Sequence, residues 1–178
     1  MKIILIGIQG AGKSTQGNLL SEKLKTPYLS TGHIFREMAK EKTPLGRQVK
    51  EIMTAGLLQP DDLTAQVVQS YLKRLEYKNG YIMDGFPRTL EQINKFENNI
   101  DKVIYLNISD KEALWRLTYQ SDGARPDDSV KAVRKRIELF HSVTEPVIDY
   151  YRRKGILLEV DGERSVEEIH REILEKVK

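Results

Sequence analysis

Cysteine is absent from the 178 residues, which excludes disulfides and thiolate-held zinc and fits a reducing compartment. No apolar run approaches the length of a bilayer span. The one that opens the chain, Lys2-Ile3-Ile4-Leu5-Ile6, is far too short, and no small-residue cleavage site follows it. A surplus of one charge is also lacking. The 29 Lys and Arg stand against 26 Asp and Glu, and the net +3 makes no global basic field of the kind a general nucleic-acid binder shows. Aromatics are 7% of the chain and do not interleave with a basic face, so no stacking platform for single-stranded nucleic acid can be drawn. Repeats, low-complexity tracts and flexible linkers are missing as well. The expectation is a single domain, residues 1–178, cytoplasmic, with neither nucleic acid nor membrane as partner and any useful positive charge gathered locally.

What is present starts with Gly7-Ile8-Gln9-Gly10-Ala11-Gly12-Lys13-Ser14. Two glycines enclose four residues and are followed by Lys and Ser, directly after an apolar run that reads as a buried strand. Such a loop turns successive backbone N–H groups inward at the start of a helix, making a concave anion site where the helix dipole also favours negative charge. A polyphosphate fits there, with Lys13 against its outer phosphates and the hydroxyl of Ser14 or Thr15 available to Mg²⁺.

Further along, the spacing predicts a helix over 13 to about 25, ended by Thr26-Pro27, then a short strand at 28–29. Thr31 is expected to cap a helix that turns Ile34, Phe35 and Met38 inward. Another helix is expected at 45–55, a break at 55–60, and Asp61 as the cap of a helix over about 62–75. Gly80-Tyr81-Ile82-Met83-Asp84 reads as a strand ending in a carboxylate, with Gly85-Phe86-Pro87-Arg88-Thr89 directly after it. In open parallel sheets ligands collect at the carboxyl ends of strands, so Asp84 and Arg88 should face the crevice of the phosphate loop. Then come a short helix at 89–96, a strand at 102–107, a helix at 111–119, a loop at 120–128, a long helical pattern over 129–153 broken at Pro146, a strand at 156–160 and a helix at 165–177. Strands alternating with helices predict an α/β fold, a five-stranded parallel sheet wrapped by helices.

Taken together these stretches resemble the nucleoside monophosphate kinases, most closely the adenylate kinases, over nearly the whole chain. The resemblance is carried by Gly10-Ala11-Gly12-Lys13-Ser14-Thr15-Gln16, by Ser30-Thr31-Gly32 with Arg36, by Asp84-Gly85-Phe86-Pro87-Arg88-Thr89 with Gln92, and by Arg125-Pro126-Asp127-Asp128 with Arg136. It implies a P-loop NTPase-type fold and reversible phosphoryl transfer, ATP plus AMP giving two ADP, with Mg²⁺ as cofactor. It also implies a helical monophosphate-binding insert at about 30–59, a short lid at about 119–128, and a monomer. By the same resemblance ATP lies on Gly10, Ala11, Gly12, Lys13, Ser14 and Thr15 and against Arg116 and Arg164. AMP meets Thr31, Gly32, Arg36, Leu57, Leu58, Gln59, Gly85, Phe86, Pro87, Arg88, Gln92, Arg125 and Arg136. Lys13, Arg88, Arg125 and Arg136, with Asp127 and Asp128 orienting arginines, form the catalytic set, and Asp84 holds Mg²⁺ through water.

The residue types suit that chemistry. Two like-charged phosphate chains must be brought into line, and positioning with charge stabilisation carries the rate. Arginine binds phosphate through a planar fork and keeps its proton. A Gln amide at 92 can both donate to and accept from adenine, and the adenylate kinases typically have Thr and Gln where this chain has Thr31 and Gln92. The pyrimidine kinases of similar lid length typically have Ala and Asn. Three features depart from the family pattern: His33 stands in place of an acid, Gln9 and Ser14 in place of Pro and Gly, and Gln120 in place of a second lid arginine. Two alternatives stay open, a pyrimidine or broad-specificity monophosphate kinase and a non-catalytic nucleotide-binding protein.

Overall fold

The computed structural model describes residues 1–96, 99–119 and 129–177. The five strands are β1 (Lys2–Ile6), β2 (Tyr28–Ser30), β3 (Tyr81–Asp84), β4 (Lys102–Asn107) and β5 (Leu157–Asp161). They form one sheet in the order β2-β3-β1-β4-β5, with every neighbouring pair parallel. β1 is central. Ile3, Ile4, Leu5 and Ile6 are all buried although successive side chains point to opposite faces, so both faces of the sheet are covered.

Nine α-helices connect and flank these strands among the described residues: α1 (Lys13–Leu24), α2 (Thr31–Met38), α3 (Pro44–Thr54), α4 (Asp61–Leu72), α5 (Leu90–Asn94), α6 (Asp110–Tyr119), α7 (Val130–Leu139), α8 (Glu145–Arg153) and α9 (Val166–Val177). α1 packs on β3 and on α9, and α5 lies against α4 and α8. The parallel five-stranded sheet expected from the alternating pattern is therefore the one found.

The register decides where chemistry can gather. Leu5 and Ser30 both pair with Asp84, so the ends of β1, β2 and β3 stop at one level. The phosphate loop, Thr31 and Gly85 leave the sheet side by side from that edge. The chain crosses from β3 over β1 to β4 at this point, the kind of switch in strand order that opens a crevice beyond the carboxyl ends.

Three local expectations are corrected. α2 is capped by Ser30, whose Oγ accepts from the His33 N–H at 3.3 Å. Thr31 is instead buried and donates its hydroxyl to the Asp84 carbonyl at 3.1 Å, tying the ends of β2 and β3. Asp61 is the first residue of α4 and makes no cap; Pro60 occupies the cap position, and the helix ends at Leu72, before a 3-10 turn over Leu75–Tyr77. Third, the predicted 129–153 helix is interrupted before Pro146, by a π-helical segment at Phe140–Thr144, and Pro146 sits in the first turn of α8. Proline supplies no N–H and its ring crowds the carbonyl four residues earlier, so the preceding turn widens and a new helix starts where Pro is tolerated.

Candidate active site

The phosphate loop bridges β1 and α1. Gly12 adopts φ 86°, a left-handed conformation that costs glycine little, and α1 starts at the next residue with no side-chain cap. Its first N–H groups are thus left for a ligand. Lys13 folds over the loop, its Nζ donating to the carbonyls of Gly7 and Ile8, both at 2.8 Å. Gln16 anchors the first turn of α1 by donating to the Val166 carbonyl at 2.9 Å.

At the end of β3, Asp84 is 6% exposed. Its Oδ2 accepts from the Tyr28 hydroxyl at 3.0 Å and from Ser14 Oγ at 3.5 Å, a long contact, while Oδ1 is buried with no hydrogen-bond partner among the described residues. Burial, and then the neighbouring Asp84 charge, push the Tyr28 phenol far above its ordinary value, so it stays a donor at any working pH. The arrangement fits Mg²⁺. A buried carboxylate oxygen beside two hydroxyl-bearing loop residues suits an ion that keeps much of its water and takes its other ligands from phosphate.

Gly85, at φ 84°, has no room for a side chain: a Cβ there would stand 2.5 Å from Thr31 Oγ1. Beyond it the backbone of Arg88 is pinned from both sides. Its N–H donates to Gln92 Oε1 at 2.7 Å, and its carbonyl accepts from Thr144 Oγ1 at 3.0 Å. The Arg88 Nε donates to the Gly85 carbonyl at 2.9 Å. Thr89 caps α5 by accepting from the Gln92 N–H at 3.1 Å, and donates to Asp61 Oδ1 at 3.0 Å.

Arg136, on α7, reaches two other parts of the chain, donating to Gln9 Oε1 of the phosphate loop at 2.9 Å and to the Met53 carbonyl of α3 at 3.0 Å. Arg116, on α6, donates to Glu112 at 2.7 Å, to the Gly162 carbonyl at 2.9 Å and to the Gly10 carbonyl at 3.4 Å. Arg164 pairs with Glu172 and lies 3.6 Å from Asp161. Gln59 is 8% exposed and donates to the Val49 carbonyl at 3.0 Å, leaving Oε1 buried with no partner among the described residues.

One cleft of about 810 Å³ joins these groups. Its lining includes Gly10 through Thr15 of the loop, Thr31, Gly32 and Arg36 of α2, Leu57, Leu58 and Gln59 after α3, Asp84 and Gly85 through Arg88 after β3, Gln92, Arg116, Arg136 and Arg164. Every site residue expected from the sequence that lies among the described residues is therefore in this cleft. Arg125, Asp127, Asp128 and Gln120, and with them the expected lid apart from Tyr119, lie outside the described residues. His33 is exposed and is not part of the lining. Six cationic side chains against three carboxylates line the described wall, so a polyanion meets a local positive field that the net charge conceals.

Sequence reasoning missed Tyr28, Thr144 and the true place of Asp61. A signal existed for the first: Tyr28 and Ser30 are two apart on one strand, hence on one face, and that strand ends beside Asp84.

The family model described as adenylate kinase matches residues 5–156. Among curated relatives, the adenylate kinase of Archaeoglobus fulgidus is 36% identical, with all of both chains covered. That of Corynebacterium urealyticum is 39% identical over 95% of this chain and 94% of its own. That of Caldicellulosiruptor bescii is 34% identical over 98% of this chain and 97% of its own. The alignment with the Archaeoglobus protein runs over 216 positions and that with the Corynebacterium protein over 176, so the first carries stretches that this 178-residue chain lacks.

Proposed function

The chain belongs to the adenylate kinase family, and from that premise we propose which of its residues carry out the transfer of a phosphoryl group between ATP and AMP. In the forward direction an oxygen of the AMP phosphate attacks the terminal phosphorus of ATP, the bond from that phosphorus to the β-phosphate oxygen breaks, and two ADP result. The observation that supports the assignment most is that the phosphate loop, Asp84 and arginines from five separate segments line a single cleft.

In this reading ATP lies along Gly10 to Thr15, its phosphates on the loop N–H groups and on Lys13, which exchanges loop carbonyls for phosphate oxygens. Arg116 and Arg164 flank its base end. AMP lies on the far side, its phosphate on Arg36 and Arg88 and its base among Thr31, Leu57, Leu58, Gln59, Gly85 and Gln92. Arg136 stands between the two, already touching both the phosphate loop and α3, and Arg125 joins it from the lid at about 119–128 with Asp127 and Asp128 orienting the guanidinium. Asp84, through water, and the hydroxyl of Ser14 or Thr15 would hold Mg²⁺, which would supply charge neutralisation between the phosphate chains. The insert at about 30–59 and the lid close over the pair, excluding water that would otherwise accept the phosphoryl group. The protein works as a cytoplasmic monomer.

Lys13→Ala and Arg88→Ala test the assignment. Each should lower kcat by about a hundredfold or more, the scale of losing one preorganised charge-stabilising donor, with cooperative thermal unfolding retained. Wild-type-like turnover in either variant would remove that residue from the catalytic set.

A further inference from the structure

Gln92 is 2% exposed and lies at the AMP side of the cleft. Its side-chain amide has two neighbours of opposite character. On one side Nε2 donates to Asp61 Oδ1 at 2.8 Å, across 31 residues of chain. On the other, Oε1 accepts from the Arg88 backbone N–H at 2.7 Å. An ionised carboxylate only accepts and a backbone N–H only donates. Turning the amide end for end would set NH₂ against N–H and carbonyl against carboxylate. Buried polar groups left in that state are costly, so the amide has one orientation.

We propose that Asp61 is a specificity-positioning residue, which, by fixing the Gln92 amide, makes the pocket accept a 6-amino purine monophosphate and reject a 6-oxo one. The proposal rests on Gln92 reading the base. With both neighbours engaged, the amide keeps one N–H and one lone pair for a ligand. Adenine offers the complement: N1 accepts and the 6-amino group donates. Hypoxanthine and guanine offer the inverse, since N1–H donates and O6 accepts. Against a fixed amide, a 6-oxo base meets donor with donor and acceptor with acceptor. Against a free amide it would need only an end-for-end turn. Asp61 also receives the Thr89 hydroxyl, so its carboxylate is held in place by the cap of α5. It stands in the first turn of α4, whose cap position is Pro60.

AMP and IMP are the decisive pair because they share size, ribose and phosphate and differ only at this edge. kcat/KM is measured for each at saturating Mg-ATP in the wild type, Asp61→Ala, Asp61→Asn and Gln92→Ala. The wild type should prefer AMP strongly, and Asp61→Ala should narrow the AMP:IMP ratio by about tenfold, the scale of one buried polar mismatch relieved. Asp61→Asn keeps a carbonyl oxygen for both donors and should preserve the ratio, rescuing what Ala loses. If Asp61→Ala does not fold, Asp61→Ser is the substitute, with the same narrowing expected. Equal losses on AMP and IMP, leaving the ratio unchanged, would mean that Asp61 only braces α5, and would overturn the proposal. So would a wild type that uses IMP as readily as AMP. A ratio unchanged in Gln92→Ala would remove the base-reading role itself, a failure distinct from that of Asp61.

Discussion

The Tyr28 hydroxyl and Ser14 Oγ converge on Asp84 Oδ2, at 3.0 and 3.5 Å, and only the first is a good hydrogen bond. Room for the ring comes from Gly17 on α1, where any Cβ would collide with it. Gly17 weakens the helix by roughly 1 kcal/mol relative to Ala, and the space it leaves places a donor on a buried carboxylate. Tyr28→Phe removes that donor and should destabilise the nucleotide-free protein by about 1–2 kcal/mol. The deficit should shrink when Mg-ATP is added, because the hydrated ion would give Asp84 new partners. Denaturant unfolding with and without Mg-ATP measures both. A loss that is absent, or the same under both conditions, would contradict the role given to Asp84. Of these residues the sequence displayed Ser14, within the loop motif, and Asp84, as the last residue of a strand. Tyr28 reads as a strand residue and Gly17 as a helix residue, and their bearing on the site depends on α1 crossing β3. Gln9 was legible only as a departure from the usual proline; in the fold its amide receives Arg136, a contact between residues 127 apart that no local pattern encodes.

At the scale of elements, the widened turn at Phe140–Thr144 sets His141 between two carboxylates. Its Nδ1 lies 2.6 Å from Glu145, and Nε2 lies 2.8 Å from Asp110 at the start of α6. The Glu145 contact and then the Asp110 contact raise the His141 pKa above its ordinary 6.5. A raised folded-state value means stability that is fully present below about 6.5, the unfolded value, and is lost as pH climbs through the folded one. His170, held low chiefly by desolvation, changes charge on the acid side of that window, so it does not mask the effect. Stability should therefore fall as pH rises above about 6.5, and His141→Gln should flatten that slope. The cross-link is nearly half exposed, so the contribution is small. Equal slopes in the two proteins would show that the cross-link does not hold α6 to α8 in solution. Most elements could be read from hydrophobic period and caps. The π segment could not, because proline marks that a helix must break without saying which turn yields.

For the whole molecule, β1, β3 and β4 announced themselves as apolar runs and the phosphate loop as a motif, but nothing local specifies that β3 inserts between β2 and β1. That insertion is what brings Ser30, Asp84 and the loop to one edge. The balanced composition likewise hides the cleft's positive wall, since that surplus exists only once α1, α2, α6, α7 and the turns after β3 and β5 converge. The identity of the acceptor belongs to this scale, because Thr31, Gln59 and the Gly85–Gln92 stretch come from three separate parts of the chain. The first measurement is diphosphate formation from Mg-ATP with AMP, CMP, UMP and GMP in turn, alongside a control without metal. Metal-dependent turnover on AMP far above the other three is expected. Faster turnover on CMP or UMP, or no turnover with any acceptor despite tight binding of ATP, would contradict the reading of this cleft.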